Sequence, residues 1–236
     1  MARKKPLIAL ISAVPFEASR LLRTMYRAGK PAKGITTGRI GALEVAHISS
    51  GPAMANAASA ATLMIERFSP AAVVVFGIGG AYHGSGLSVG DVAAARSEVF
   101  AELGAITPEG FLSARDMGLS TLTRGGKKYY GTFELNRKLL RLAAGHISAS
   151  GPFLTVSTVT GSRREAEKLL GRHGGALCEN MEGAAAANVC ARYGVPMLEI
   201  RGISNMVEDR DTGKWEKDLA AENCQAALCE ILSLLQ

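Results

Sequence analysis

No Cys-x-x-Cys pair occurs among the four cysteines (Cys178, Cys190, Cys224, Cys229), and the four histidines are scattered along the chain. That spacing supports neither a zinc site nor a redox motif, so buried free thiols are expected and no metal or organic cofactor is implied. Long apolar runs are also missing. The richest, Leu7–Val14 and Ala71–Ala81, fall far short of the ~18–20 residues that cross a bilayer. The basic N-terminal residues before Leu7 resemble a leader, but Pro15, Glu17 and Arg20 interrupt the region where a cleavage site would stand. Leu7 onward is therefore read as a first core strand of a cytoplasmic protein. Aromatics make up only 6% of the chain, and the densest basic clusters, Arg3–Lys5, Lys127–Lys128 and Arg163–Arg164, have none interleaved. The net charge of +6 is thus read as a dispersed basic surface suited to a small anionic substrate, with no nucleic-acid groove and no membrane partner. A basic nucleic-acid-binding module without chemistry is the alternative.

What is present is core. The 236 residues are 47% hydrophobic and 20% charged, which excludes disorder and allows a large core without disulfides. Short β-rich runs alternate with helical patterns and no linker divides them, which predicts one α/β domain over residues 1–236 with a central, largely buried sheet. Strands are expected at Leu7–Ala13, Ile35–Gly38, Leu43–Ser49, Ala72–Phe76, Val89–Ala94, Glu98–Leu103, Phe153–Thr158 and Met197–Ile203. Helices are expected at Glu17–Tyr26, Ala53–Phe68, Phe133–Ala144, Arg163–Leu170, Met181–Tyr193 and Trp215–Leu235, and the polar stretch Thr107–Gly131 reads as a mobile loop or lid.

Four places carry chemical potential. Glu17 follows the first strand, at the carboxyl end where ligands of parallel α/β sheets gather, although a helix-start glutamate on the surface is the plainer reading. Ser50-Gly51-Pro52 and Gly77-Ile78-Gly79-Gly80 offer backbone N–H groups to a ligand or simply turn the chain, and neither matches a P-loop or dinucleotide spacing. In Glu179-Asn180-Met181-Glu182, followed by Gly183 and four alanines, a carboxylate stands in the positive field of a helix N-terminus, as a cap or as an acceptor for sugar hydroxyls. Arg201 and Asn205 end a buried strand, where a guanidinium needs a carboxylate partner such as Glu182 or Glu17 and an amide can read a base edge.

Taken in order, Glu17, Gly77–Gly80, Met181-Glu182 and Arg201–Asn205 resemble the nucleoside phosphorylase and methylthioadenosine/S-adenosylhomocysteine nucleosidase superfamily. Phe76–Tyr82, Val99–Phe111, Glu179–Ala186, Arg201–Asp211 and Trp215 are similar to its futalosine hydrolase branch, which serves menaquinone biosynthesis. The resemblance implies a three-layer α/β/α fold around a twisted mixed sheet, a nucleoside as small-molecule substrate, a homo-oligomer, and N-ribosidic cleavage without a cofactor. It also implies roles. Glu17 activates water, Met181 and Glu182 hold the ribose, Arg201 orients Glu182 and the water, and Asn205 faces the purine. Ile78, Gly79, Thr158 and Val159 are expected beside the substrate.

Two departures from the family pattern bear on the reaction. Adenine-cleaving members carry Asp where this chain has Asn205; an amide donates to N7 and O6 of a 6-oxopurine but transfers no proton, which favours hypoxanthine as leaving base. Val75 and Ile78 stand where bacterial phosphorylases bind phosphate with Arg and Ser, so water is the expected nucleophile. A 6-oxopurine nucleoside phosphorylase and a methylthioadenosine/S-adenosylhomocysteine nucleosidase are the alternatives. For the acidic 5′ group of futalosine, Arg163, Arg164, Lys127 and His83 are candidate cations.

Overall fold

A computed structural model describes residues 6–29 and 34–235; the basic cluster Arg3–Lys5 lies outside the described residues. Strand β1 (Leu7–Ser12) leads through a 3-10 turn (Pro15–Ala18) into α1 (Ser19–Thr24), then β2 (Tyr26–Arg27), β3 (Ile35–Ile40), β4 (Leu43–Ser49) and α2 (Met54–Phe68). The middle of the chain holds β5 (Ala72–Ala81), β6 (Val92–Phe100), the hairpins β7 (Gly104–Thr107)/β8 (Gly110–Ser113) and β9 (Leu122–Arg124)/β10 (Lys127–Tyr129), β11 (Thr132–Glu134) and α3 (Arg137–Ala143). The remainder is β12 (Ala149–Thr155), α4 (Arg163–Arg172), β13 (Cys178–Asn180), α5 (Gly183–Tyr193), β14 (Met197–Met206) and α6 (Lys217–Ser233).

Alternation along the central strands builds two cores. Ala9, Ile11, Val73 and Val75 pack on one face with Ala61 and Met64 of α2 and Ala186 and Cys190 of α5. Ile8, Leu10, Val74 and Phe76 face the other way, against Leu21 of α1 and Leu228 and Ile231 of α6. Because side chains alternate with period two, a strand that is apolar at every position needs cover on both faces, and this produces three layers. Among the described residues the main sheet has ten strands and is mixed. It also bends back on itself. β5 pairs with β14, β14 with β6, β6 with β12, β12 with β13, and β13 with β5, closing a ring of five strands.

Several expected elements change. The β5 strand does not stop at Phe76 but continues through Gly77–Gly80 to Ala81, since β14 and β13 supply pairing along that stretch. Val89–Ala94 and Glu98–Leu103 are one strand, β6, because Arg96 is the extra residue of a bulge opposite Gly151 and Pro152. Phe133 belongs to β11, paired with β6, and helix α3 starts only after Asn136, whose side chain accepts from the N–H groups of Lys138 and Leu139. Residues 107–131 are not an irregular loop but contribute to two hairpins, anchored by buried Leu122 and by Tyr129 stacked on Phe133. Glu179 and Asn180 belong to strand β13, and Asn205 lies within β14 rather than beyond it. Among the described residues, no helix is long and apolar enough to cross a membrane.

Candidate active site

Glu17 sits on the 3-10 turn that follows β1, 3% exposed, and three backbone donors hold its carboxylate. Ala13 N–H and Val14 N–H donate to Oε2 at 2.9 and 3.0 Å, and Ile78 N–H donates to Oε1 at 2.9 Å. Pro15 fixes the tight turn that brings the side chain back over the strand ends. Burial pushes the Glu17 pKa above the ordinary carboxylate range, against the opposing pull of Arg201 and the N–H donors. Gly77 leaves the space the carboxylate occupies, for a Cβ there would stand 2.4 Å from Glu17 Oε1.

Arg201, 1% exposed on β14, is the hub of a buried polar network inside the strand ring. Its Nε donates to Glu199 Oε1 at 2.9 Å, and its Nη1 lies 3.2 Å from both Glu182 Oε2 and the Ile78 carbonyl. Burial alone lowers an arginine pKa, but Glu199, Glu182 and Glu17 outweigh it and hold the guanidinium charged. Behind Arg201, Glu199 meets Glu98 of β6 across Gly183. A Cβ on Gly183 would stand 2.2 Å from Glu98 Oε1 and 2.3 Å from Glu199 Oε2. Burial, then repulsion from Glu199, drives the Glu98 pKa well above the ordinary carboxylate range. Thr155 Oγ1 and Asn180 Nδ2 donate to Glu98 at 2.6 and 2.7 Å.

Glu182 caps this network at the start of α5. Ala53 N–H donates to its Oε1 at 3.1 Å, while Oε2 pairs with Arg201. Ala53 holds φ +84° and ψ 155°, a combination nearly confined to glycine, so the backbone here is strained where it touches the site. Oε2 also accepts from Met181 N–H at 3.4 Å, so the acceptor site left for a diol is on Oε1. Asn205 follows a bulge in β14, where the register with β5 slips between Ile203 and Asn205. Its Oδ1 accepts from Ser204 Oγ at 2.8 Å and its Nδ2 donates to the Met206 carbonyl at 2.9 Å, which leaves one N–H and one lone pair free.

A single cavity of about 240 Å³ collects these groups. Glu17, Ile78, Gly79, Met181, Glu182, Arg201 and Asn205 line it, together with Val159. Phe16, Pro52 and Trp215 add apolar walls, and Lys217 stands at the start of α6 on its lining. Thr158 is not among its lining residues. It lines a neighbouring cavity of about 580 Å³ with Glu102, Lys168 and Arg172, while Val159 and Thr160 form the partition between the two. The cations expected for an acidic 5′ group are elsewhere. His83 pairs with Glu208 at 3.0 Å, Arg163 with Glu167 at 3.4 Å, and Lys127 lies over the Tyr129 ring. Val75 is packed in the core.

Sequence reasoning passed over Glu98, Glu199, Glu179 and Ser204. For Glu199 a signal was present, since residues two apart on a strand share a face and Glu199 therefore meets Arg201. For Glu98 the partners come from strands that only the ring closure brings near, and for Glu179 they are Tyr82 and Thr160 in the segments after β5 and β12.

This arrangement of a closed strand ring, a buried Arg–Glu hub and a carboxylate on the first strand end accompanies a family match over nearly the whole chain. The protein belongs to the phosphorylase superfamily, whose profile matches residues 7–235. Within that superfamily it is 41% identical over 144 residues to a futalosine hydrolase of Streptomyces coelicolor, an alignment that spans 61% of this chain and 57% of that protein. A futalosine hydrolase of Thermus thermophilus is 33% identical over 188 residues, covering 79% of this chain and 80% of the relative. In fold, the chain matches the S-adenosylhomocysteine nucleosidase of Streptococcus pyogenes with a TM-score of 0.85 at 20% identity, over 100% of both chains.

Proposed function

We propose that this protein hydrolyses the N-ribosidic bond of futalosine, releasing hypoxanthine and dehypoxanthine futalosine, as a step of menaquinone synthesis. One observation carries the reading: Glu17, Glu182 and Asn205, drawn from three distant parts of the chain, line the same cavity. Breaking a ribosidic bond builds positive charge on the sugar and negative charge on the departing base. Glu182, steadied by Arg201 and Ala53 N–H, accepts from the ribose 2′ and 3′ hydroxyls and stabilises the cationic sugar from below. Glu17 draws a proton from water as that water adds to C1′. Its raised pKa suits a general base, because a base works best when its pKa approaches the working pH. The free N–H of Asn205 donates to N7 or O6 and takes up charge as the oxopurine leaves.

Water rather than phosphate is the nucleophile in this reading. The Val75 side chain is committed to the core, and Ile78 brings an apolar side chain to the wall, so neither position supplies a phosphate ligand. The acidic 5′ side of futalosine suits Trp215 and Lys217. Arg201 is engaged by Glu199 and Glu182, which leaves Lys217 as the available cation among the described lining residues. The test is to incubate the purified protein with futalosine in phosphate-free buffer and follow the free base by chromatography. Hypoxanthine release is expected. No release, or release only with added phosphate, overturns the reading, and adenine release from methylthioadenosine at a comparable rate would favour the adenine nucleosidase instead.

A further inference from the structure

We infer that Glu179 reads the N1 edge of the purine and makes this cavity selective for 6-oxopurines over 6-aminopurines. The inference rests on the nucleoside reading of the cavity and adds to it a residue that decides which base is accepted.

The geometry comes from strand register. Glu179 of β13 stands opposite Gly80 of β5, and Asn205 of β14 stands opposite Gly80 from the other side. Residues in register share a sheet face, so the carboxylate and the amide flank a position that has no side chain, two strand spacings or about 10 Å apart at Cα. Only glycine fits at position 80, since a Cβ there would stand 2.8 Å from Val207 Cγ2 and 3.2 Å from Asn205 Nδ2. All three residues line the cavity. The amide and the carboxylate thus bound a slot in the cavity on either side of Gly80.

Hydrogen-bond accounting then dictates what the slot takes. Glu179 is 6% exposed, and the hydrogen-bond partners of its carboxylate are all donors. Thr160 N–H donates to Oε1 at 3.0 Å; Tyr82 OH, at 2.8 Å, and Thr160 Oγ1 donate to Oε2. A carboxylate accepts at about four positions, so one acceptor site remains, on Oε1. A ligand must meet it with a donor. Hypoxanthine offers N1–H there, while its O6 and N7, both acceptors, face the free N–H of Asn205. Adenine presents the lone pair of N1 to the carboxylate, and the two repel. Burial raises the Glu179 pKa and Glu102 adds to the rise, while the donors on Thr160 and Tyr82 oppose it.

The test is calorimetric titration of hypoxanthine and adenine into the wild-type protein and into E179Q. Wild type should bind hypoxanthine more tightly. In E179Q hypoxanthine should weaken roughly 10- to 150-fold, the value of a hydrogen bond to a charged group, while adenine holds or improves because the new amide donates to N1. Equal affinities in the wild type, or an E179Q effect that is absent or the same for both bases, would overturn the inference. Should E179Q fail to fold, the wild-type protein titrated with 1-methylhypoxanthine answers the same question. Affinity equal to that for hypoxanthine would overturn the inference, and a loss would support it. Futalosine turnover by the wild type is measured in parallel; its absence would overturn the proposed function while the base-edge result stood on its own.

Discussion

Gly77→Ala adds one methyl group and removes nothing, yet it should disable the site. Gly77 lies within β5 and is not among the residues with positive φ, so its backbone suits alanine. The added Cβ, however, would stand 2.4 Å from Glu17 Oε1 and 2.7 Å from its Cδ. Ordinary contact needs about a further 1 Å, and β5 is fixed by β14 and β1 on either side, so Glu17 must move. A displacement of ~1 Å at a reacting group lowers turnover by about 10²-fold. The same shift loosens the N–H groups of Ala13, Val14 and Ile78 from their acceptor, at about 1–3 kcal/mol of stability. The assay is steady-state hypoxanthine release, with urea denaturation on the same preparations. A double mutant adds a sharper criterion. If Gly77→Ala acts through Glu17, it should cost little further activity in a Glu17→Gln background, where the general base catalysis proposed for Glu17, worth about 10²–10⁴-fold, is already gone. Full activity in Gly77→Ala, or losses that simply multiply in the double mutant, would refute the reasoning.

Other outcomes follow from the same geometry. Because burial holds the Glu17 pKa above the ordinary 4.5, kcat/KM should fall as pH drops through a midpoint above 4.5, when Glu17 takes up its proton; a midpoint at or below 4.5 in the pH–rate profile would contradict it. Lys217→Met should raise KM for futalosine about fivefold at low salt, the ~1 kcal/mol of an exposed ion pair, and leave inosine unaffected. Matching KM changes for the two nucleosides would exclude Lys217 from binding the 5′ acid. Arg201→Met leaves Glu199 and Glu182 buried without their cation and should lower stability by about 3–5 kcal/mol, with activity lost as Glu182 is released. A change within 1 kcal/mol in urea melts would show that water already reaches this network.

Much of this protein was legible without coordinates. The all-apolar runs at Ile8–Ile11 and Val73–Phe76 already require a sheet buried on both faces, because alternate side chains point opposite ways. The expected helix bounds agree with local capping: Ser162 accepts from Glu165 N–H at the start of α4, and Gly194 ends α5 in the left-handed region. Glu17 and Glu182 stand at a strand end and a helix start, where ligands gather, whereas Arg201 and Asn205 lie within β14. Elements without such local signals are not legible in the sequence. Three-residue β13 owes its extended form to β12 and β5 on either side, and nothing in Cys178-Glu179-Asn180 separates it from the helix that follows. Only the tertiary structure decided how the five strands close into a ring. That closure joins Glu98 to Glu199 and sets Glu179 across from Asn205, and it turns Thr158 out of the cavity that Val159 lines. Pairings between strands so far apart in sequence depend on register and backbone curvature, which no single segment encodes.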